Sequence, residues 1–275
     1  MKKHIQPLIS HFRWLTIVII ACAVLPALAN DSVIDDMLDR NKLRVGLSSF
    51  VPWAMRAKNG EFIGFEVDVA KEVAKDMGVE LEIVPTAWDG IIPALLAKKF
   101  DIIISGMYIT SARNLQVNFT QYYDRNGLDL VANRELAGGM KNISDFNRPD
   151  VIFSLRRGTY PVAYVKKTLP QAQIKQFDDD ASARQEVLNG RAHAWITAEP
   201  QPRFSALDYP DKLFQPIAER LTYNQQGMAL RKGDIDALNF FNNWIAIKKQ
   251  SGWLQERHEY WFGGREWAEQ VGDNK

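Results

Sequence analysis

The sequence predicts an α/β protein built from two successive strand–helix units. Three observations carry that prediction: a strand–helix–strand–helix–strand rhythm over 43–104, a second such run over 128–197, and about 245 residues left after a leader. Residues 43–47 (LRVGL) alternate as a strand and open into Ser48-Ser49-Phe50-Val51-Pro52-Trp53, a loop with Pro and two aromatics. Asn59-Gly60 marks a turn. Val69, Ala70, Val73, Ala74 and Met77 recur at helical spacing, giving a helix over 67–77 that Gly78 terminates. A strand over 79–84 follows, then Trp88-Asp89-Gly90 opens a helix to about Lys98 with Ile91, Ile92, Leu95 and Leu96 inward. The third strand is 102–104, running out of an Asp101 expected to face solvent.

In the second unit, 128–132 and 152–155 read as strands, and Arg157-Gly158-Thr159-Tyr160-Pro161 turns into a helix. Pro161 suits a helix start, where its missing N–H would have no partner anyway. Asp180 is expected to cap a helix over 181–188, with Asp178 and Asp179 solvated, and Gly190 closes it. A calcium loop is a poor reading of these three acids, since no Gly-containing ligand loop follows. A strand over 193–197 ends at Ala198-Glu199-Pro200, with His193 at its entry read as packing. A return strand over 227–231, a long helix Ile235–Gln250, and a short helix reaching Trp261-Phe262-Gly263 complete the chain. The last dozen residues read as polar and loosely held.

Lys2, Lys3 and Arg13, the apolar run 14–25 and Ala27-Leu28-Ala29 read as a signal peptide over 1–29, too short to span a bilayer comfortably. Ile19-Ile20-Ala21-Cys22 offers a competing lipoprotein processing site, but the apolar run continues past Cys22. Removing the leader takes three basic residues and no acid, leaving 31 basic against 33 acidic, a net charge of −2. A near-neutral exported chain has no electrostatic footprint for nucleic acid. The remainder lacks cysteine, which excludes disulfides, zinc–thiolate sites and cysteine nucleophiles; His193 and His258 are its only histidines, so a His-based metal site is not expected. No G-x-x-x-x-G-K phosphate loop is present.

In parallel sheets, ligands sit beyond the C-terminal strand ends. Segments 48–53, 86–89 and 105–113 occupy that position, and the last brings Arg113. A guanidinium is a planar fork that holds a carboxylate through two parallel hydrogen bonds. Free N–H groups at Ser105-Gly106 and at the helix start after Gly158 would complete a receptor for a small acid.

With these residues in view, the chain resembles the bacterial solute-binding proteins of family 3, the polar-amino-acid uptake receptors. LRVG, GFEVDVA, WDGIIPAL, FDIIISGMYITSAR, RRGTYP, NGRAHAWIT, MALRKGD and a closing WFG carry the resemblance, from about Leu43 to Gly263. It implies a two-lobed periplasmic binding protein-like fold (type II), with lobes joined by two crossing segments near 120–123 and 223–226. Lobe 1 would be 30–121 and 226–275, and lobe 2 the inserted 122–225. It further implies a periplasmic monomer without cofactor, which passes a small carboxylate ligand to the membrane permease of an ABC transporter. The ligand is expected to be an amino acid or a derivative.

Residue by residue, the resemblance places Arg113 on the carboxylate and Phe50 and Trp88 beside the ligand's body. Gly106 falls where a backbone group meets ligand, and Thr159 and Tyr160 where a second-lobe turn takes the other side of the carboxylate. Two departures matter. Tyr108 stands where a small hydroxyl residue is usual, and Ala198 stands where the family carries an ammonium-binding Asp. Either Glu199 replaces that acid, or the ligand lacks a normal α-amino group. The alternative is an enzyme of the cyclohexadienyl dehydratase type on the same scaffold, with Glu199 as acid and Arg113 as anchor.

Overall fold

The computed structural model describes residues 32–271; the signal-peptide and Cys22 readings lie outside them. Two five-stranded sheets form the two lobes. In the first, Lys42–Leu47 lies between Glu80–Pro85 and Ile102–Ile103, parallel to both, and the return strand Ala229–Leu230 and then Asn118–Phe119 add antiparallel. In the second, Gln173–Phe177, Ile152–Arg156 and Ala194–Ala198 run parallel, while Leu128–Asn133 and Leu213–Phe214 complete the sheet antiparallel. Between the sheets, Asp124–Asn126 pairs antiparallel with Asn224–Gln226 in a ladder of three residue pairs. The first of these segments follows directly on the expected crossing at 120–123.

Helix Phe65–Met77 begins two residues earlier than its apolar spacing predicts, because Gly64 at φ 134° turns the chain into it. Phe65, Val67, Val69, Ala70, Val73 and Ala74 are buried along it. Each large side chain so removed from water contributes about 1.5–3 kcal/mol. Gly78, at φ 69°, stops the helix by donating to Ala74 and Lys75 carbonyls. The segment after Ala87 is a 3-10 turn, Trp88–Gly90, leading into Ile91–Leu96.

Three expectations are corrected. Asp101 does not face solvent: it is 1% exposed and pairs with Arg40 and with Arg44, the latter at 2.8 Å. Asp179, not Asp180, caps the helix Asp180–Leu188, accepting from the Ser182 N–H at 2.7 Å. The C-terminal stretch is not loose as far as Val271. Trp267 is 3% exposed, its indole donates to the Trp261 carbonyl at 3.0 Å, and Val271 bridges to Ala57. His193 closes a backbone valence, its Nδ1 accepting from the Ile152 N–H at 3.2 Å.

Candidate ligand-binding cleft

Every strand end expected to meet ligand contributes to one cavity of about 60 Å³. From the first lobe, Ser48 and Phe50 follow Lys42–Leu47, Trp88 follows Glu80–Pro85, and Ser105, Gly106, Tyr108 and Arg113 follow Ile102–Ile103. From the second, Arg156 ends its strand, Thr159 and Tyr160 enter the helix Tyr160–Thr168, Asp180 starts the next helix, and Thr197 and Ala198 end Ala194–Ala198. Of the residues singled out in the sequence, Phe50, Trp88, Gly106, Tyr108, Arg113, Thr159 and Tyr160 all line this cavity.

Arg113 sits in the short helix Ser111–Asn114, which Thr110 caps. Its Nη1 donates to the Tyr108 carbonyl at 2.9 Å and its Nη2 to the Gly158 carbonyl of the other lobe at 3.4 Å. Among the described residues no carboxylate pairs with it, and burial pushes its guanidinium down to about 10. The Trp88 indole donates to the same Gly158 carbonyl at 3.1 Å. Gly158 needs its φ of +70°, and a Cβ there would lie 3.3 Å from that of Asp89.

Several polar groups are less free than the sequence suggests. The Gly106 N–H donates to the Tyr123 hydroxyl at 3.3 Å, which in turn donates to Glu66 at 2.7 Å. Gly106 therefore offers its ligand face without that N–H. Glu66 is fully buried, and desolvation raises its carboxyl to about 8. The Thr159 hydroxyl donates to the Arg156 carbonyl at 2.6 Å, so the first N–H groups of Tyr160–Thr168 have no side-chain cap. Uncapped helix N–H groups favour an anion. Tyr108 is buried, its ring edge-on to Tyr160 at 5.7 Å and its hydroxyl 3.4 Å from the Gly127 carbonyl, and burial raises its pKa. Phe50 stacks on Trp53 at 4.4 Å.

Glu199 does not line the cavity. It pairs with Arg220 at 3.3 Å, and its backbone N–H is held by the Gly127 carbonyl at 3.0 Å. The acid in the cavity wall is Asp180, with Arg156 Nη1 at 3.3 Å and the Thr197 hydroxyl at 3.2 Å. Desolvation raises its carboxyl, with Arg156 pulling the other way. Arg156 also reaches across to the first lobe, to the Ser48 hydroxyl at 2.6 Å and the Ser49 carbonyl at 3.2 Å. Neither Arg156 nor Asp180 is among the ligand-site residues expected from the sequence. For Arg156 the signal was available: it stands at the C-terminal end of a strand legible in the sequence, the rule that located the first lobe's segments.

The family model for bacterial extracellular solute-binding proteins, family 3, matches residues 43–264. The chain belongs to this family. The L-cystine-binding protein TcyJ of Escherichia coli is 28% identical over 253 residues, covering 90% of this chain and 93% of that one. The cyclohexadienyl dehydratase of Pseudomonas aeruginosa is 26% identical over 247 residues, covering 88% and 92%. A solved structure of a putative ABC-transporter binding component from Wolinella succinogenes, complexed with lysine, superposes with a TM-score of 0.77. It is 41% identical and covers 84% of this chain and 99% of that one. The family 3 member described here is thus a two-lobed solute-binding protein of periplasmic type, and no helix among its described residues is long and apolar enough to cross a membrane.

Proposed function

We propose that the protein captures a small carboxylate, an amino acid or a derivative of one, between its lobes and delivers it to the permease of an ABC transporter. The observation that carries this reading is Arg113, a half-buried guanidinium in the cavity wall whose hydrogen-bond partners are carbonyls and not an acid. A cation so placed favours an organic anion as its counter-charge. The uncapped start of Tyr160–Thr168 adds N–H groups from the opposite lobe.

Residues 30–121 and 226–275 would then act as one body and 122–225 as the other, turning about the ladder at 124–126 and 224–226. Ligand that touches both bodies shifts the population toward the closed form by as much as it prefers that form. The receptor would be an exported monomer, with 1–29 removed as a signal peptide, and would not itself catalyse a reaction. The dehydratase among the relatives keeps an enzyme as the weaker alternative, and the acid that alternative needs, Glu199, is committed to Arg220.

A thermal-shift screen against amino acids, amines and small acids tests the reading, since a bound ligand raises the midpoint by mass action. Carboxylates should raise it in the wild type and fail to do so in Arg113→Ala. Turnover of a prephenate-like acid would favour the enzyme instead.

A further inference from the structure

We infer that the ligand is a monocarboxylic acid without an α-ammonium group, gripped by two guanidinium groups that share Trp88: Arg113 from one lobe and Arg156 from the other. This rests on the carboxylate-receptor reading above and narrows it to des-amino acids. The Cζ atoms of Arg113 and Arg156 lie 5.4 Å and 5.7 Å from the Trp88 ring. Arg156 is 6% exposed, lines the cavity, and its Nε–H is buried without an acceptor among the described residues. That unpartnered donor calls for one more oxygen.

Among the described residues that line the cavity, no acid lacks a cationic partner of its own. Asp180 is the carboxylate in the wall, and its charge is already matched by Arg156 on one oxygen, with the Thr197 hydroxyl on the other. Glu199 is turned to Arg220, and Ala198, which does line the cavity, is apolar. Among the described residues the wall therefore holds two cations and one anion. A single negative charge on the ligand balances it. A zwitterionic amino acid brings no net charge and would bury an ammonium beside two guanidinium groups, which is costly without a paired acid.

The experiment is titration calorimetry on the mature chain, unfolded, dialysed and refolded to remove carried-over solutes. Matched pairs differ only in the α-ammonium: propanoate and alanine, 4-methylpentanoate and leucine, 3-phenylpropanoate and phenylalanine. The expected result is at least about tenfold tighter binding of the acid in any pair that binds, equivalent to one good buried polar contact. Equal or tighter binding of the amino acid, still abolished by Arg113→Ala, overturns this inference and leaves the receptor reading standing. Absence of binding by every acid and every amino acid overturns both. Asp180→Asn keeps an amide oxygen for Arg156 and removes the wall's negative charge, leaving both guanidinium groups to the ligand, so acid affinity should rise. A fall of more than about tenfold would make Asp180 a direct ligand contact and overturn the assignment.

Discussion

Arg156 of the second lobe donates to the Ser48 hydroxyl of the first across 2.6 Å. Ser48 in turn is set by its own N–H, which donates to the Ser105 hydroxyl at 2.9 Å. A strand-end serine thus serves as the landing point for a cation from the opposite lobe. A hydrogen bond to a charged group contributes about 1.5–3 kcal/mol net. Ser48→Ala should therefore weaken ligand binding about ten- to a hundredfold while leaving the fold intact. Small-angle scattering should show a larger radius of gyration at a ligand concentration that closes the wild type. Unchanged affinity would make the contact incidental to closure.

Arg113 separates binding from stability. Its removal should cost at least about a hundredfold in affinity, as expected when one partner of a desolvated charge pair is truncated. Arg113→Lys should fall between, because a point charge replaces a planar fork. The ligand-free protein should lose no stability in Arg113→Ala, since no acid among the described residues depends on that cation. Calorimetry and a urea titration read the two quantities separately.

Glu199 should be nearly silent. Its contact with Arg220 is partly solvated, and such pairs are worth about 0–1 kcal/mol. Glu199→Gln should change affinity for any carboxylate by less than about threefold. A large loss measured by calorimetry would put the residue back among the ligand contacts.

Glu66 should give the protein a pH-dependent stability. Desolvation raises its folded-state pKa to about 8 against 4.5 for the ordinary group, with the Tyr123 hydrogen bond opposing and the Asp124 charge adding. Between those values the folded state holds a proton that the unfolded chain releases, so stability falls as pH rises through this window and levels above it. The paired His258, with a pKa raised on balance by Asp124 against its own desolvation, contributes in the same direction. Comparison with Glu66→Gln isolates the carboxyl. The variant's thermal midpoint should gain on the wild type steadily from pH 5 to 8.5, about the span of the shifted titration.

Trp267 tests the packed C-terminal segment. Trp267→Ala should cost about 3–5 kcal/mol, the usual range for emptying a buried tryptophan site. A urea midpoint shift with an unchanged slope would show it. An unaltered midpoint would return the segment to the loose tail that its polarity suggests.

What the sequence reveals depends on how local the signal is. Helix Ile235–Gln250 has the predicted bounds because its apolar face and its cap at Asp234 are both local. The strand Gln173–Phe177 has no clear sequence signature because it lies at a sheet edge and is largely exposed, so QIKQF carries no apolar run. Asp101 looked like a surface acid because its partners, Arg40 and Arg44, are about sixty residues away in the chain. At 178–180 three adjacent acids compete for one cap. The choice of Asp179 turned Asp180 inward, and only the second sheet's geometry decides that. Glu199 illustrates the reverse: its neighbour Ala198 lines the cavity while its own side chain faces Arg220.

Gly158 carries a consequence for how such a receptor can diversify. Its carbonyl is the shared acceptor of Trp88 and Arg113, its backbone is left-handed, and a methyl group would press on Asp89. Mutation there is penalised in the folded lobe and again at the seam, whatever cargo is carried. New preferences must therefore be written at the side chains around that atom, while the atom itself stays as the fixed catch against which every variant shuts.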